Sequence, residues 1–266
     1  MKNSTQKESV MNYEEDIYGV KGIQDELLIL IKKFHIFCEE NGIEYSLCGG
    51  SCLGAIRHKG FIPWDDDLDI MVNRENFDKL MGCLNNSDEL SIHRELWVER
   101  IQNKNNTGSF KEVPTLDVFL MDNAPDSKLL LNIKAFMLAT LQGMMKTEHN
   151  YEGFSLKNKV LLITTRILGM LVNDERKYKW YKKVSQIGNK KQAKHTHCSN
   201  DLFKSLKKLY PGDVMDKMIP AKFEDVDLYI PQKYDEYLKI TYGDYMTLPK
   251  EEDRIPAHIN VKNGEV

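Results

Sequence analysis

The run Trp64-Asp65-Asp66-Asp67-Leu68-Asp69-Ile70 places four carboxylates within five residues and then turns apolar through Val72. Few folds tolerate such a run. Side chains at i and i+2 on a strand share a face, so Asp67 and Asp69 project together while Leu68 and Ile70 enter a core. Two carboxylates on one face repel, and a hard divalent cation relieves that repulsion. Magnesium suits all-oxygen ligands and keeps places for water or phosphate oxygens. A solvated acidic turn is the alternative reading of the same residues. A calcium loop of the EF-hand kind fails on spacing, because Ile70 and Asn76 stand where Gly and Glu are needed.

Around this run the chain alternates elements. Apolar residues from Ile23 to Cys38 recur at helical spacing and stop at Asn41-Gly42. Ile43–Cys48 reads as a strand, and Gly49-Gly50-Ser51 breaks it, with Ser51 capping a helix to Arg57 or His58. Asn73 caps a helix through Phe77 to Leu84. Leu90–Ile101 is strand material with a turn. Val113–Leu120 is another strand, carrying Asp117 as a third carboxylate for the same site. The fold class expected is α+β, a mixed sheet flanked by helices and followed by a mostly helical part. The divisions expected are a mobile tail at 1–20, a catalytic core at 21–125, and a helical region at 126–266 that completes the substrate site.

Small residues between a strand and a helix let backbone N–H groups approach a phosphate, which suits Gly49, Gly50 and Ser51. Arg57, His58 and Lys59 follow and supply positive charge. A plain turn and a basic helix end are the plainer readings of those residues.

The net charge of −3 and the mixing of charges argue against a nucleic-acid groove. The densest basic stretch, Lys177–Lys194, contains Tyr178, Trp180 and Tyr181 and reads as an exposed helix face. Five cysteines without a C-x-x-C pair fit reduced thiols and a cytoplasmic location. No apolar run reaches the roughly 20 residues of a membrane span. Leu129–Met145 and Val160–Val172 come part of the way. They are read as core helices, or alternatively as a helix resting on a membrane surface, on its inner face.

The segment from Leu47 to Ile70, LCGGSCLGAIRHKGFIPWDDDLDI, closely resembles the signature of the LicD family. That family includes bacterial phosphocholine transferases of cell-surface glycans and teichoic acids. It is related to the fukutin group of ribitol-phosphate transferases within the DNA polymerase beta-like nucleotidyltransferase superfamily. The likeness is dense from Gly42 to Phe77. It resumes at Phe223-Glu224-Asp225-Val226, Ile230-Pro231, Tyr242-Gly243-Asp244-Tyr245-Met246, Leu248-Pro249, Arg254 and His258. Cys52 stands where relatives often carry Thr.

The resemblance implies a transferase that moves phosphocholine, or a similar phospho-alcohol, from CDP-choline or a related CDP-alcohol. The acceptor implied is a sugar hydroxyl of a glycan or lipid-linked glycan. It implies that Gly50 and Ser51 face the donor phosphates, and that Asp67, Asp69 and Asp117 hold Mg²⁺, with Mn²⁺ as a substitute. Trp64, Asp65 and Asp66 are implied to shape the pocket, with Trp64 meeting a choline head, while Arg254 and His258 reach the phosphate or acceptor. Two other readings keep the fold: nucleotidyl transfer from an NTP with release of pyrophosphate, and a non-catalytic glycan- or nucleotide-binding protein.

Overall fold

The computed structural model describes residues 16–106, 113–146, 156–188 and 193–257. His258 and the first fifteen residues of the expected tail lie outside them. Helix α1 (Lys21–Asn41) buries Leu27, Leu30, Ile31, Phe34 and Cys38 along one stripe and closes at Gly42. Strand β1 (Ser46–Leu47) leads into helix α2 (Gly49–Arg57). Strand β2 (Leu68–Asn73) follows, then helix α3 (Arg74–Leu84), capped where the Asn73 side chain accepts from the Asn76 N–H. Strands β3 (Leu90–Glu95), β4 (Val98–Asn103) and β5 (Leu116–Asn123) complete this half.

Three helices come next: α4 (Lys128–Met145), α5 (Leu156–Met170) and α6 (Asp174–Ser185). Strands then return. They are β6 (His195–Cys198), β7 (Tyr210–Pro211), β8 (Met218–Phe223) and β9 (Val226–Pro231), ahead of helix α7 (Tyr234–Tyr242).

The main sheet runs β1-β2-β5-β4-β3, with β6 on β5 and β7 on β6. Strand β2 pairs with β5 in parallel, with Asp69 opposite Asp117. Strand β4 pairs with the start of β5 and β6 with its end, both antiparallel. The mixed α+β expectation therefore holds. The helical expectation for 126–266 is met in α4, α5, α6 and α7, while between α6 and α7 the strands β6 and β7 extend the main sheet and β8–β9 form a hairpin of their own. The four residues of β6 carry too little alternation to announce a strand. What fixes them is tertiary: Asn200 accepts from the Leu120 N–H at 2.7 Å and donates to the Val118 carbonyl at 2.8 Å.

The principal core lies among α1, α2, α3, α7 and the sheet. A smaller one joins Trp97, Leu138, Leu141, Tyr181, Val184 and Leu206 between α4 and α6. Gly54 marks a tight backbone joint near the acidic run. A Cβ there would lie 2.4 Å from the Gly60 carbonyl oxygen. That neighbour is backbone and cannot swing aside, so Gly54→Ala is expected to cost about 3 kcal/mol and lower the melting temperature by roughly 5–10 °C. A thermal melt unchanged from wild type would show that the α2 turn shifts freely.

Candidate active site

The acidic run enters β2 as a row of alternating directions. Asp65, Asp67 and Asp69 share parity, and Asp66 turns the other way. Asp66 is buried, and its Oδ1 accepts from the Ala257 N–H at 3.1 Å. Asp65 was expected beside Asp66 as a pocket-shaping residue. Its carboxylate instead stands over Gly50, where an added Cβ would meet it at 2.7 Å, and its charge reaches Asp69. The period of two explains the split.

Asp69 opens to a cavity yet sits deep among protein atoms. Burial first, and then the charges of Asp67, Asp117, Asp65 and Asp201, hold its carboxyl well above the usual carboxylate range. Asp117 lies beside it on the neighbouring strand, about 4.8 Å across the sheet. Arg100 stands opposite Asp117 on β4 and grips it, with Nε 2.8 Å from Oδ1 and Nη2 donating to Oδ2 at 3.1 Å. Arg100 also pairs with Glu95.

The glycine turn departs from the expected geometry. Helix α2 starts at Gly49, with φ +52° at that residue, rather than after a Ser51 cap. The left-handed backbone and the missing Cβ both matter here, because a Cβ on Gly49 would sit 3.0 Å from an Asp69 carboxylate oxygen and 3.7 Å from the Tyr242 hydroxyl. Ser51 is buried within the helix, and its Oγ accepts from the Asp69 N–H at 2.8 Å. It positions the acidic strand rather than facing the cavity. The Gly49 N–H donates to the Tyr237 hydroxyl at 3.0 Å.

The cavity measures about 270 Å³ and is walled in part by Gly49, Asp69, Asp201, Lys208, Tyr237 and Tyr242. Burial raises the Asp201 carboxyl, while the Leu202 N–H, Ser205 and Lys208 act in the opposite sense. The Tyr242 phenol is pushed up by burial and then by Asp69, Cys48, Asp65 and Asp67. Sequence reasoning missed Arg100, Asp201 and Lys208, since no spacing links them to the acidic run. Tyr242 lay within the recognised C-terminal motif but carried no assigned role.

Of the other expected residues, His58, Trp64 and Arg254 cluster with one another and are not among the residues lining the cavity. Arg57 donates through Nη1 to the Tyr245 carbonyl at 2.9 Å, and burial lowers both its guanidinium and the His58 imidazole. His58 meets Trp64 edge-on at 6.2 Å between centroids. The Arg254 guanidinium lies 5.5 Å from the centre of the Trp64 ring, so the face expected to receive choline already holds a cation. Lys59 is exposed in a left-handed turn, and its carbonyl accepts from the Glu224 N–H at 2.7 Å. No described contact brings its side chain to the carboxylates. Glu224 in turn accepts from the Phe61 N–H at 3.0 Å, which gives the C-terminal motif a bracing role.

The donor set fits a hard divalent cation in its chemistry: carboxylates crowd a deep site, and their charges disfavour the ionised form of Asp69. As the side chains stand, no group of three His, Cys, Asp or Glu among the described residues closes on one point to hold an ion. Asp117 is drawn to Arg100 instead.

A family model described as "LicD/FKTN/FKRP, nucleotidyltransferase domain" matches residues 42–152. The lipopolysaccharide cholinephosphotransferase LicD of Haemophilus influenzae is 27% identical over 257 residues, covering 87% of this chain and 93% of that protein. An uncharacterised protein of Rickettsia prowazekii is 39% identical over 83 residues, 31% of this chain and 30% of its own. Another, of Rickettsia typhi, is 47% identical over 47 residues, 18% of this chain and 15% of its own. The matched span holds the glycine turn, the acidic strand and Asp117 together, and across residues 42–152 the chain is similar to the nucleotidyltransferase domain of the LicD family.

Proposed function

We propose that the protein transfers phosphocholine, or a closely similar phospho-alcohol, from a CDP-linked donor to a sugar hydroxyl of a cell-surface glycan. The observation that carries this reading is the crowding of the Asp65, Asp67 and Asp117 charges around Asp69, beside the Gly49–Gly50 helix start, in a chain aligned along 87% of its length with a cholinephosphotransferase. In the transfer, the acceptor oxygen bonds to the distal phosphorus, the bond from that phosphorus to CMP breaks, and the acceptor proton leaves to a base.

Asp67 and Asp69 would hold Mg²⁺ or Mn²⁺, with Asp117 joining them when released by Arg100. The ion when bound neutralises phosphate charge. The protein's own share is alignment and electrostatics. The Gly50 amide, one residue into α2, suits a phosphate oxygen, and Lys208 offers a cation on the cavity wall. Asp201 with Tyr210, Tyr237 and Tyr242 gives that wall an anionic, aromatic character, which suits a quaternary ammonium better than a polyol.

The test is a product assay with Mg²⁺, a glycan acceptor, and CDP-choline or CDP-ribitol as donor. CMP released with CDP-choline in preference to CDP-ribitol is the expected result. Pyrophosphate from CTP in its place would assign nucleotidyl transfer, and nucleotide binding without turnover would assign a binding protein.

A further inference from the structure

Helices α4 and α5 expose an apolar surface that carries large hydrophobic side chains in the open among the described residues. On α4 the exposed positions include Leu129, Leu130, Ile133, Phe136 and Met137, spaced i, i+1, i+4, i+7 and i+8. In a water-facing helix that stripe is polar. On α5 the exposed Leu156, Val160, Ile163, Ile167 and Met170 form a second stripe, with Leu161, Leu168 and Leu171 beside it. Phe136 is 63% exposed and Leu171 79%.

Helix α5 is held by a narrow crossing. Thr165 is buried, and at Gly169 a Cβ would lie 2.3 Å from the Met144 carbonyl oxygen. Most of its remaining described surface is open. A patch of this extent marks a partner surface.

Charge decides which partner. Neither helix contains an Asp or Glu, and their charged residues are all Lys or Arg, with Lys128, Lys159 and Arg166 around the stripes and Lys134 turned inward. The chain as a whole is acidic, at −3. A second copy seated on this face would set cation against cation. An anionic lipid surface accepts both the apolar stripes and their flanking charges. No described helix is long and apolar enough to cross a membrane, so the face lies on the bilayer.

A neighbouring loop repeats the composition. Leu202 and Phe203 are exposed, and Lys204, Lys207 and Lys208 follow. This loop begins at Asp201, whose carbonyl accepts from the Gln142 side chain of α4 at 2.7 Å.

We propose that the α4–α5 face docks on an anionic bilayer surface and, through Gln142 and Asp201, sets the carboxylate cavity beside it. This does not rest on the transfer reading, since docking is measured without donor or acceptor. The full chain is floated with phosphatidylethanolamine vesicles, with and without phosphatidylglycerol, at low and high salt.

Wild type is expected to float with the phosphatidylglycerol vesicles, less so at high salt. Phe136→Ser/Ile167→Ser is expected to weaken partitioning about a hundredfold with its circular dichroism unchanged, since both side chains leave water only on docking. If that variant loses its fold, Lys128→Glu/Arg166→Glu, which leaves the apolar packing intact, is expected to lose the preference for phosphatidylglycerol. Wild type that stays unbound to both vesicles, or variants that float like wild type, would overturn the proposal. So would a dimer in sedimentation velocity that the apolar variant converts to monomer without any vesicle binding, which would give the face to a second copy.

Discussion

Asp69→Asn is expected to silence transfer by at least about a thousandfold while making the metal-free protein more stable. The loss follows from removing a carboxylate that would hold the divalent ion, whose charge would offset that of the phosphate. The gain follows from the crowding around Asp69, where burial and the charges of Asp67, Asp117, Asp65 and Asp201 all disfavour the carboxylate. An amide of the same shape removes the repulsion. Asp67→Asn should lose activity to the same degree. Product assays and thermal melts in EDTA read the two effects separately. A variant that keeps its activity with Mg²⁺ present would remove Asp69 from the chemistry. One that is inactive and less stable than wild type would make it a structural residue.

Lys134→Met is expected to stabilise the protein by about 3 kcal/mol at neutral pH, a rise of roughly 5–10 °C in melting temperature. Lys134 is fully buried in α4, and its Nζ has no hydrogen-bond partner among the described residues. Burial drags the ammonium from its ordinary 10.5 down to about 8, with Asp122 opposing and Arg74 assisting. Below pH 8 the folded and unfolded chains both carry the proton, and the whole penalty stands. Between about 8 and 10.5 the folded protein has released a proton that the unfolded chain still binds, so wild-type stability climbs with pH toward that of the methionine variant. Denaturant melts across that range should show the gap closing. His197 supplies a second readout. Burial and then Lys134 hold its imidazole down at about 4, so its titration should move upward in the variant. A variant no more stable than wild type at pH 7 would mean that Lys134 is solvated or bonded.

The acidic strand was legible because its signal is local. A period of two, set in four carboxylates and two apolar residues, states both a strand and its exposed face. The Asn73 cap and the Gly42 stop are equally local. The glycine turn was legible as a position but not as a geometry. Whether Ser51 caps or lies inside a helix depends on where Asp69 places its N–H. Arg100 was hidden for another reason. On β4 it is one of two charged residues, next to Glu99, and only the register opposite Asp117 gives it a role. Asp201 and Lys208 follow β6, whose few residues form a strand only because β5 offers an edge. The exposed stripes of α4 and α5 carry the apolar periodicity of core helices, and sequence cannot say which side of a helix the rest of the chain covers.

The short stretch from Arg57 to Asp66 is seated by partners far along the chain. Gln24 donates to the Ile62 and Asp65 carbonyls from α1. Tyr245 receives Arg57, Glu224 receives Phe61, and Ala257 donates to Asp66 across a separation of 191 residues. During synthesis the acidic run leaves the ribosome after Gln24 but long before Glu224, Tyr245 and Ala257 exist. A nascent chain therefore displays the carboxylates in the right order without their full seating, and the site waits for the chain to pass Ala257. C-terminal truncations should leave the sheet recognisable by circular dichroism and the site unformed.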